Sequence, residues 1–193
     1  MITRIPIEIS ARHVHLSQED LEALFGQKYE LKKLRQLTQP CDFSASETLD
    51  IKVNSNILKN VRIVGPVREQ TQVELSFTDA INLGIMPPFK ISGDLKGTPG
   101  LILVGPQKRE IKLKQGVIIA ARHIHCTTHE AEELGLKNGA MVSVLVKGPR
   151  EITFHDVVIR VRDDYNLCMH LDTDEGNAAG INKVGEGYLI TNT

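Results

Sequence analysis

The sequence reads I-S-A-R-H-V-H-L-S at residues 9–17 and I-A-A-R-H-I-H-C-T at residues 119–127. Each copy carries two histidines separated by one residue, and the four are His13, His15, His123 and His125. In an extended strand, alternate side chains point to the same face, so each copy presents two imidazoles side by side. Because paired imidazoles are good ligands for zinc and similar metals, the phrase predicts two half-sites for metal. The alternative is two structural histidine pairs retained after a gene duplication.

A second repeated stretch supplies a third potential ligand to each pair. Glu74 precedes Gly84, and His170 precedes Gly180, by the same interval in each repeat. This register predicts two three-ligand sets, His-His-Glu and His-His-His. Three protein ligands and one open position are the composition of a catalytic zinc site, whereas structural sites usually have four ligands and favour cysteine. Taken alone, Glu74 could be a surface carboxylate and His170 a strand-end histidine.

Length, charge and cysteine content favour a compact, soluble enzyme. The 193 residues suffice for one large or two small domains. A formal net charge of −1 argues against a nucleic-acid or membrane-surface partner bound by bulk electrostatics. The sequence has no apolar run long enough for a transmembrane helix, and its first residues lack a signal-peptide core. Three irregularly spaced cysteines fit a reducing cytoplasm better than a disulfide framework.

The pattern along the chain is mostly β. Ile5, Ile7 and Ile9 alternate with polar residues, as in a half-buried strand. Short helices are predicted after Ser17 and after Thr127, since both residue types are favourable N-caps. Further short strands are predicted at 31–38, 48–53, 61–64, 72–77, 101–104, 111–120, 141–146, 152–161 and 166–171. Many short strands separated by Gly- and Pro-rich turns are typical of small β-barrels.

Arginines recur near the predicted ligands. Arg12 and Arg122 directly precede the two histidine pairs, Arg68 follows a Gly-Pro turn, and Arg160 lies in an apolar alternating strand. The planar guanidinium group matches phosphate or carboxylate, so metals beside several arginines predict a pocket for a small anion such as phosphate. The alternative is an ordinary ion pair for each of the last two, Arg68 with Glu69 and Arg160 with Asp156.

Four motifs cover nearly the whole chain: S-A-R-H-V-H-L-S, G-P-x-R-x-x-T-Q-V-E, A-A-R-H-I-H and M-H-L-D-T-D-E-G-N-A-A-G. In this order they resemble the PduL-type phosphate acyltransferases, the phosphotransacylases of propanediol-degrading microcompartments and their cytosolic relatives. The resemblance implies a zinc-dependent reaction in which acyl-CoA and phosphate give acyl phosphate and CoA. Propanoyl or acetyl is the implied acyl group.

The resemblance also implies a fold and an assembly. The expected fold is mainly β, with two similar small β-barrel domains related by internal duplication and with short helices. The first domain, 11–118, is expected to be inserted in the second, which comprises 1–10 and 119–193. A homodimer or larger homo-oligomer is expected.

The resemblance to the phosphate acyltransferases also implies which residues form the site. It implies two zinc ions per chain. One ion would be bound by His13, His15 and Glu74, and the other by His123, His125 and His170. Arg68 and Arg160 match family arginines near the phosphate, and Ser10 and Ser92 match family serines at the site. The candidate catalytic residues are Arg68, Arg160 and Ser92, and the candidate substrate-binding residues are Ser10, Arg68 and Arg160.

The N-terminal residues bear on the cellular location of the enzyme. Microcompartment members of the family carry an N-terminal encapsulation extension. Since the first predicted strand already begins near Ile5, we expect a cytoplasmic enzyme rather than one in a microcompartment lumen.

Two other functions compete with the acyltransferase hypothesis. One is a dinuclear metal-dependent hydrolase acting on a CoA thioester or phosphate ester, which would not depend on phosphate. The other is a non-catalytic duplicated β-barrel module, which would have no fixed metal stoichiometry.

Overall fold

The computed structural model describes residues 3–190, and this part of the chain is mainly β. Its strands are β1 (Thr3–Ser10), β2 (His13–His15), β3 (Lys33–Gln36), β4 (Phe43–Val53), β5 (Asn56–Gly65), β6 (Gln72–Leu75), β7 (Phe89–Lys90), β8 (Ile102–Val104), β9 (Glu110–Lys112), β10 (Val117–Ala120), β11 (His123–Cys126), β12 (Met141–Val146), β13 (Ile152–Val161), β14 (Cys168–Asp172) and β15 (Val184–Ile190). Its helices are α1 (Gln18–Phe25), α2 (Phe77–Leu83), α3 (Thr128–Glu133) and α4 (Thr173–Ala179), with a 3-10 turn at Pro106–Lys108. None of the helices within this range has the length and apolar character needed to span a lipid bilayer.

The chain divides into two compact units. Unit 1 comprises Met1–Ala11, Thr38–Pro40 and Ala121–Thr193, and unit 2 comprises Arg12–Leu37 and Cys41–Ala120. The division into domains expected from the sequence, 11–118 and 1–10 plus 119–193, stays a prediction.

Unit 1 contains a closed six-stranded barrel. The strand order is β1-β14-β11-β13-β12-β15, and β15 pairs back onto β1. Alternate residues of these strands form the core, as the alternation at Ile5 and Ile7 predicts. Ile124, Ile159 and Met169 extend the same core and are fully buried. One of the two predicted barrels is therefore present in unit 1.

Unit 2 contains a nine-stranded sheet. Eight strands follow the order β7-β10-β6-β2-β5-β4-β8-β9, and β3 pairs with β4 beside this path. Val14, Ile63, Val73 and Ile119 lie in its buried core. Among residues 3–190 the strands of this sheet do not close by pairing, so the structure shows one closed barrel where the sequence predicted two.

The two units share one pairing pattern around the repeated H-x-H strands. β11 lies between a parallel partner, β13, and an antiparallel partner, β14. β2 likewise lies between parallel β5 and antiparallel β6. In unit 1 the parallel neighbour of β14 is β1, and in unit 2 the parallel neighbour of β6 is β10. The internal duplication is therefore present in strand pairing as well as in sequence.

Helix caps explain where the short helices lie. The predicted helices after Ser17 and Thr127 are confirmed as α1 and α3, and each cap side chain accepts a hydrogen bond from a backbone N–H of the first turn. Two further helices, α2 and α4, were not predicted. They begin after Ser76 and Asp172, and both end at a glycine in the left-handed conformation. These cap residues were a usable signal in the sequence.

The strand predicted at 111–120 is interrupted in the structure. β9 ends at Lys112 and β10 begins at Val117, with Gly116 between them at φ 124°. A Cβ at this position would lie 2.6 Å from the carbonyl oxygen of Thr71, so the close approach requires glycine. The interruption separates β9, at one end of the sheet order, from β10, which pairs with β6.

Candidate metal centres and anion site

The predicted ligands lie on strand faces opposite the two cores. In β11, Ile124 lies in the core of unit 1 while His123 and His125 point to the other face. In β2, Val14 lies in the core of unit 2 and separates the other two histidines in the same way. The alternation that fills each core therefore also aligns each histidine pair on one surface.

His13, His15 and Glu74 come together in unit 2. Strand pairing places His13 directly opposite Glu74. The two histidine Nε2 atoms lie 3.1 Å apart, and the Glu74 carboxylate oxygens lie 3.7 Å from Nε2 of His13 and 4.0 Å from Nε2 of His15. A tetrahedral zinc ion with ligands at about 2.0–2.1 Å holds its ligand atoms about 3.4 Å apart. The three side chains therefore have close to the spacing that one zinc ion requires.

The surroundings of His15 favour the neutral, metal-binding form. Its Nδ1 lies 3.0 Å from the carbonyl oxygen of Val64, and donation of the Nδ1 hydrogen there leaves a lone pair on Nε2. Burial, the neighbouring His13 and the positive charge of Arg68 hold the pKa of His15 far below its ordinary value. Because a ligating histidine must be deprotonated, this side chain is suited to bind metal at neutral pH.

His123, His125 and His170 come together in unit 1. One ring nitrogen from each lies within 4.8 Å of the others. His123 and His170 are directly opposite across β11 and β14, and their rings stack at 5.2 Å between centroids. The Nδ1 of His123 lies 2.8 Å from the carbonyl oxygen of Ala121, so Nδ1–H donates to that oxygen and Nε2 carries the lone pair. The second predicted set is therefore also assembled.

His125 is the buried centre of the unit 1 set. Its ring stacks on Tyr165 at 4.0 Å between centroids, and neither ring nitrogen has a hydrogen-bond partner among the described residues. Burial, His123, His170 and Arg160 lower the pKa of His125 and keep the imidazole neutral. A buried polar group without a partner is unfavourable. A metal ion would satisfy one of the two nitrogens.

A hydrogen-bond network joins Arg68 to the predicted ligand Glu74. Arg68 donates from Nη1 to Oγ of Ser92 over 3.0 Å. Gln72 donates from Nε2 to the same Oγ over 2.8 Å and to Oε1 of Glu74 over 2.6 Å. The backbone N–H of Gly93 donates to Oε1 of Gln72 over 2.8 Å. Two predicted site residues are thus connected to a predicted ligand through Gln72, a buried residue that the sequence analysis missed.

Arg68 forms an ion pair with Asp42, and not with its sequence neighbour Glu69. Arg68 Nη2 lies 3.8 Å from Oδ1 of Asp42 and is therefore paired with a residue distant in sequence rather than with Glu69. Asp42 directly precedes β4, in a stretch that carries no site motif. Sequence spacing gave no signal for this contact.

Arg160 and Ser10 belong to the strands on either side of the unit 1 set. Arg160 lies in β13 directly opposite His125 in β11. Ser10 lies in β1 opposite Asp172, on the same face as Glu8, which is opposite His170. The structure therefore places both predicted residues on the strand face that carries the histidines.

Gln39 is a further residue near this set that the sequence did not indicate. It donates from Nε2 to the carbonyl oxygen of Asn166 over 3.0 Å and accepts the backbone N–H of Asn166 on Oε1 over 3.1 Å. This double contact fixes the orientation of the amide and places its Nε2 3.4 Å from Nε2 of His170. No motif identifies Gln39, because its partners are more than a hundred residues away in sequence.

The arginines before the histidine pairs form equivalent ion pairs in both repeats. Arg12 Nη1 lies 2.7 Å from Oδ1 of Asp79 in α2, and Arg122 Nε lies 3.1 Å from Oε1 of Glu175 in α4. Each helix directly follows the strand that carries the third predicted ligand, Glu74 or His170. Both ion pairs therefore link the start of an H-x-H strand to the helix that follows that predicted ligand.

Comparison with known proteins shows the family of this chain. A family model described as phosphate propanoyltransferase matches residues 6–182. A phosphate propanoyltransferase of Thermotoga maritima is 50% identical over 187 residues, covering 96% of this chain and 89% of that protein. Proteins of the same name from Listeria monocytogenes and Clostridioides difficile are 42% and 45% identical, covering 99% and 93% of this chain and 89% and 85% of their own lengths. The chain therefore belongs to the phosphate propanoyltransferase family and is an enzyme of the phosphate acyltransferase class.

Proposed function

We propose that this enzyme transfers a propanoyl or acetyl group between coenzyme A and inorganic phosphate, with zinc bound at both three-ligand sets. The observation that carries the proposal is the network from Arg68 through Ser92 and Gln72 to Glu74. It joins an anion-binding side chain to a predicted metal ligand by hydrogen bonds, as a site for an anionic substrate requires.

The donor sets suit zinc. Both sets contain buried imidazoles, and in each set one histidine, His15 or His123, donates its Nδ1 hydrogen to a backbone carbonyl and keeps a lone pair on Nε2. Each set has three candidate ligands, as catalytic zinc sites do. Zinc bound by these residues would supply Lewis-acid chemistry toward an anionic oxygen or a carbonyl group. The two unpartnered nitrogens of His125 support the same assignment for unit 1.

The reaction forms a bond between a phosphate oxygen and the carbonyl carbon, and breaks the carbon–sulfur bond to CoA. The guanidinium fork of Arg68 can bind two phosphate oxygens, which neutralises charge as phosphate approaches the thioester. Oγ of Ser92 already accepts hydrogen bonds from Arg68 and Gln72, so its own hydrogen is left to donate to substrate. Phosphate entering as the dianion needs no general base, and the CoA thiolate is a good leaving group.

A coupled assay tests the proposal. Acetyl-, propanoyl- and butanoyl-CoA are supplied with and without phosphate, CoA release is followed, and acyl phosphate is trapped as its hydroxamate. We expect phosphate-dependent CoA release with equal amounts of acyl phosphate. CoA release at the same rate without phosphate would identify a hydrolase instead. No turnover in either condition, with metal present, would favour the non-catalytic module.

Replacement of Arg160 by lysine is expected to raise the KM for phosphate about 10-fold, which corresponds to about 1.4 kcal/mol. Lysine keeps the positive charge but loses the bidentate fork. The KM for acyl-CoA should change much less. Arg4→Lys is the matched control, since Arg4 is an exposed residue of the same unit, paired with Glu186. Equal changes in both KM values, together with a lower melting temperature, would assign Arg160 to structure.

Oligomeric state and location are also proposals. We propose a homodimer or larger homo-oligomer, because α2 and β7 carry exposed apolar side chains. Phe77 and Ile81 lie one helical turn apart, and the ring of Phe77 stacks on that of Phe89. Sedimentation of the purified chain measures the assembly. A cytoplasmic location stays a prediction.

A further inference from the structure

The two repeats differ at the positions that flank the third ligand. In unit 2, Glu74 has Gln72 two residues earlier on its own strand and Ile118 directly opposite on the parallel strand. In unit 1 the corresponding positions beside His170 are Cys168 and Glu8. Unit 1 therefore has a thiol and a carboxylate where unit 2 has an amide and an apolar side chain.

These two additional side chains lie close to His170. One ligand atom from each of Glu8, Cys168 and His170 lies within 4.8 Å of the others. Cys168 and His170 are alternate residues of β14 and share a face, and strand pairing places Glu8 directly opposite His170 on the neighbouring strand. Ligands at about 2.0–2.3 Å from one ion are separated by about 3.3–3.8 Å in a tetrahedral site. Atoms that lie within 4.8 Å of one another therefore have to approach by no more than about 1.5 Å to share an ion.

We propose that Glu8, Cys168 and His170 form a second metal position in unit 1, with preference for thiophilic cations such as Cd²⁺. A thiolate ligand selects soft metals, whereas the three-histidine set offers nitrogen alone. On binding, the sulfur–hydrogen bond of Cys168 breaks, a sulfur–metal bond forms, and the proton passes to solvent. Cys168 is 2% exposed and Glu8 half-buried, so the position is largely shielded from water.

The proposed metal position and the three-histidine set compete for metal, because His170 is a ligand in both. An ion held by Glu8 and Cys168 would withdraw His170 from His123 and His125 and leave those two histidines as an incomplete set. This part of the inference rests on the proposed function, since it assumes zinc at the three-histidine set. Unit 2 has no equivalent competition among its described residues, because Gln72 donates to Glu74 and Ile118 offers no ligand atom.

Titration of the full-length protein with CdCl₂ tests the proposal. Thiolate-to-cadmium charge-transfer absorption in the near ultraviolet is followed, together with released zinc and protons. We expect the absorption to saturate near one Cd²⁺ per chain, with release of about one proton and about one zinc ion. Cys168→Ser should abolish the absorption and weaken Cd²⁺ binding more than about 100-fold, above the usual effect of losing an outer-shell partner. Glu8→Gln should weaken binding about 10-fold while keeping the absorption.

Matched variants separate this site from others. Cys126→Ser removes another fully buried cysteine of unit 1, and Cys41→Ser a half-buried one of unit 2; both should retain the absorption. His125→Ala should also retain it, because His170 remains. Circular dichroism checks that each variant is folded. A wild-type protein that holds zinc but gives no thiolate absorption overturns the inference and leaves the proposed function standing. A protein that gives the absorption without holding zinc supports this site and contradicts zinc in the proposed function.

Discussion

Replacement of His123 by alanine is expected to remove one of about two zinc ions per chain and to lower kcat/KM at least about 100-fold, which corresponds to about 2.7 kcal/mol of transition-state stabilisation. The loss is expected because of the immediate surroundings of His123. His123 is opposite His170 and its tautomer is fixed by the carbonyl oxygen of Ala121, so no neighbouring side chain of β11 replaces it. Elemental analysis of protein prepared without chelator measures the zinc content.

His129→Ala is the matched control for this variant. His129 lies on α3, is 80% exposed and is paired with Glu133, outside both ligand sets. We expect it to keep the full zinc content and activity. If the His123 variant is fully active with unchanged metal, or if the wild-type protein is fully active without metal, zinc catalysis at this set is excluded.

Deletion of residues 1–9 is expected to abolish the cooperative folding of unit 1. The deletion removes nearly all of β1, which pairs with β14 on one edge and β15 on the other, so the barrel loses two of its six strand pairings. It also removes Ile5 and Ile7, which are 0% and 1% exposed. Loss of the thermal unfolding transition assigned to unit 1, by calorimetry and near-ultraviolet circular dichroism, is the measurement.

Two point variants of β1 provide a scale for the effect of the deletion on the free energy of unfolding. Ile7→Ala should lower the free energy of unfolding by about 2–5 kcal/mol, since it leaves a cavity in the barrel core. Arg4→Ala, also in β1, removes an exposed ion pair with Glu186 of β15 and should change the free energy of unfolding by less than about 0.5 kcal/mol. A truncated protein that unfolds with the wild-type midpoint would show that β1 is dispensable.

The clustering of the six candidate ligands into two groups of three could be predicted because the duplication repeats their positions in register. H-x-H fixes two imidazoles on one strand face by geometry alone, and the equal spacing to Gly84 and Gly180 identified Glu74 and His170 as equivalent positions. Within each unit, the structure brings the three side chains of the predicted set close to one another. A single copy of either motif would have left the third ligand ambiguous.

Residues that act through strand pairing could not be predicted in this way. Gln72 and Cys168 occupy matching positions but have different side chains, so the repeat gave no signal for either. Gln39 and Asp42 contact the sites only because distant segments meet after folding. The open sheet of unit 2 was missed for a similar reason, because closure depends on which edge strands pair and not on alternation within one strand.

The position of β1 in the barrel has a consequence for synthesis of the protein. Its partners β14 and β15 lie near the other end of the sequence, while the strands of unit 2 all fall within residues 12–120. On the ribosome, β1 is therefore synthesised before unit 2, and both of its edges remain unpaired until β14 and β15 emerge. An unpaired apolar strand is a site for aggregation. The yield of refolded protein should therefore fall as protein concentration rises, and the yield on synthesis should depend on chaperones that bind nascent strands.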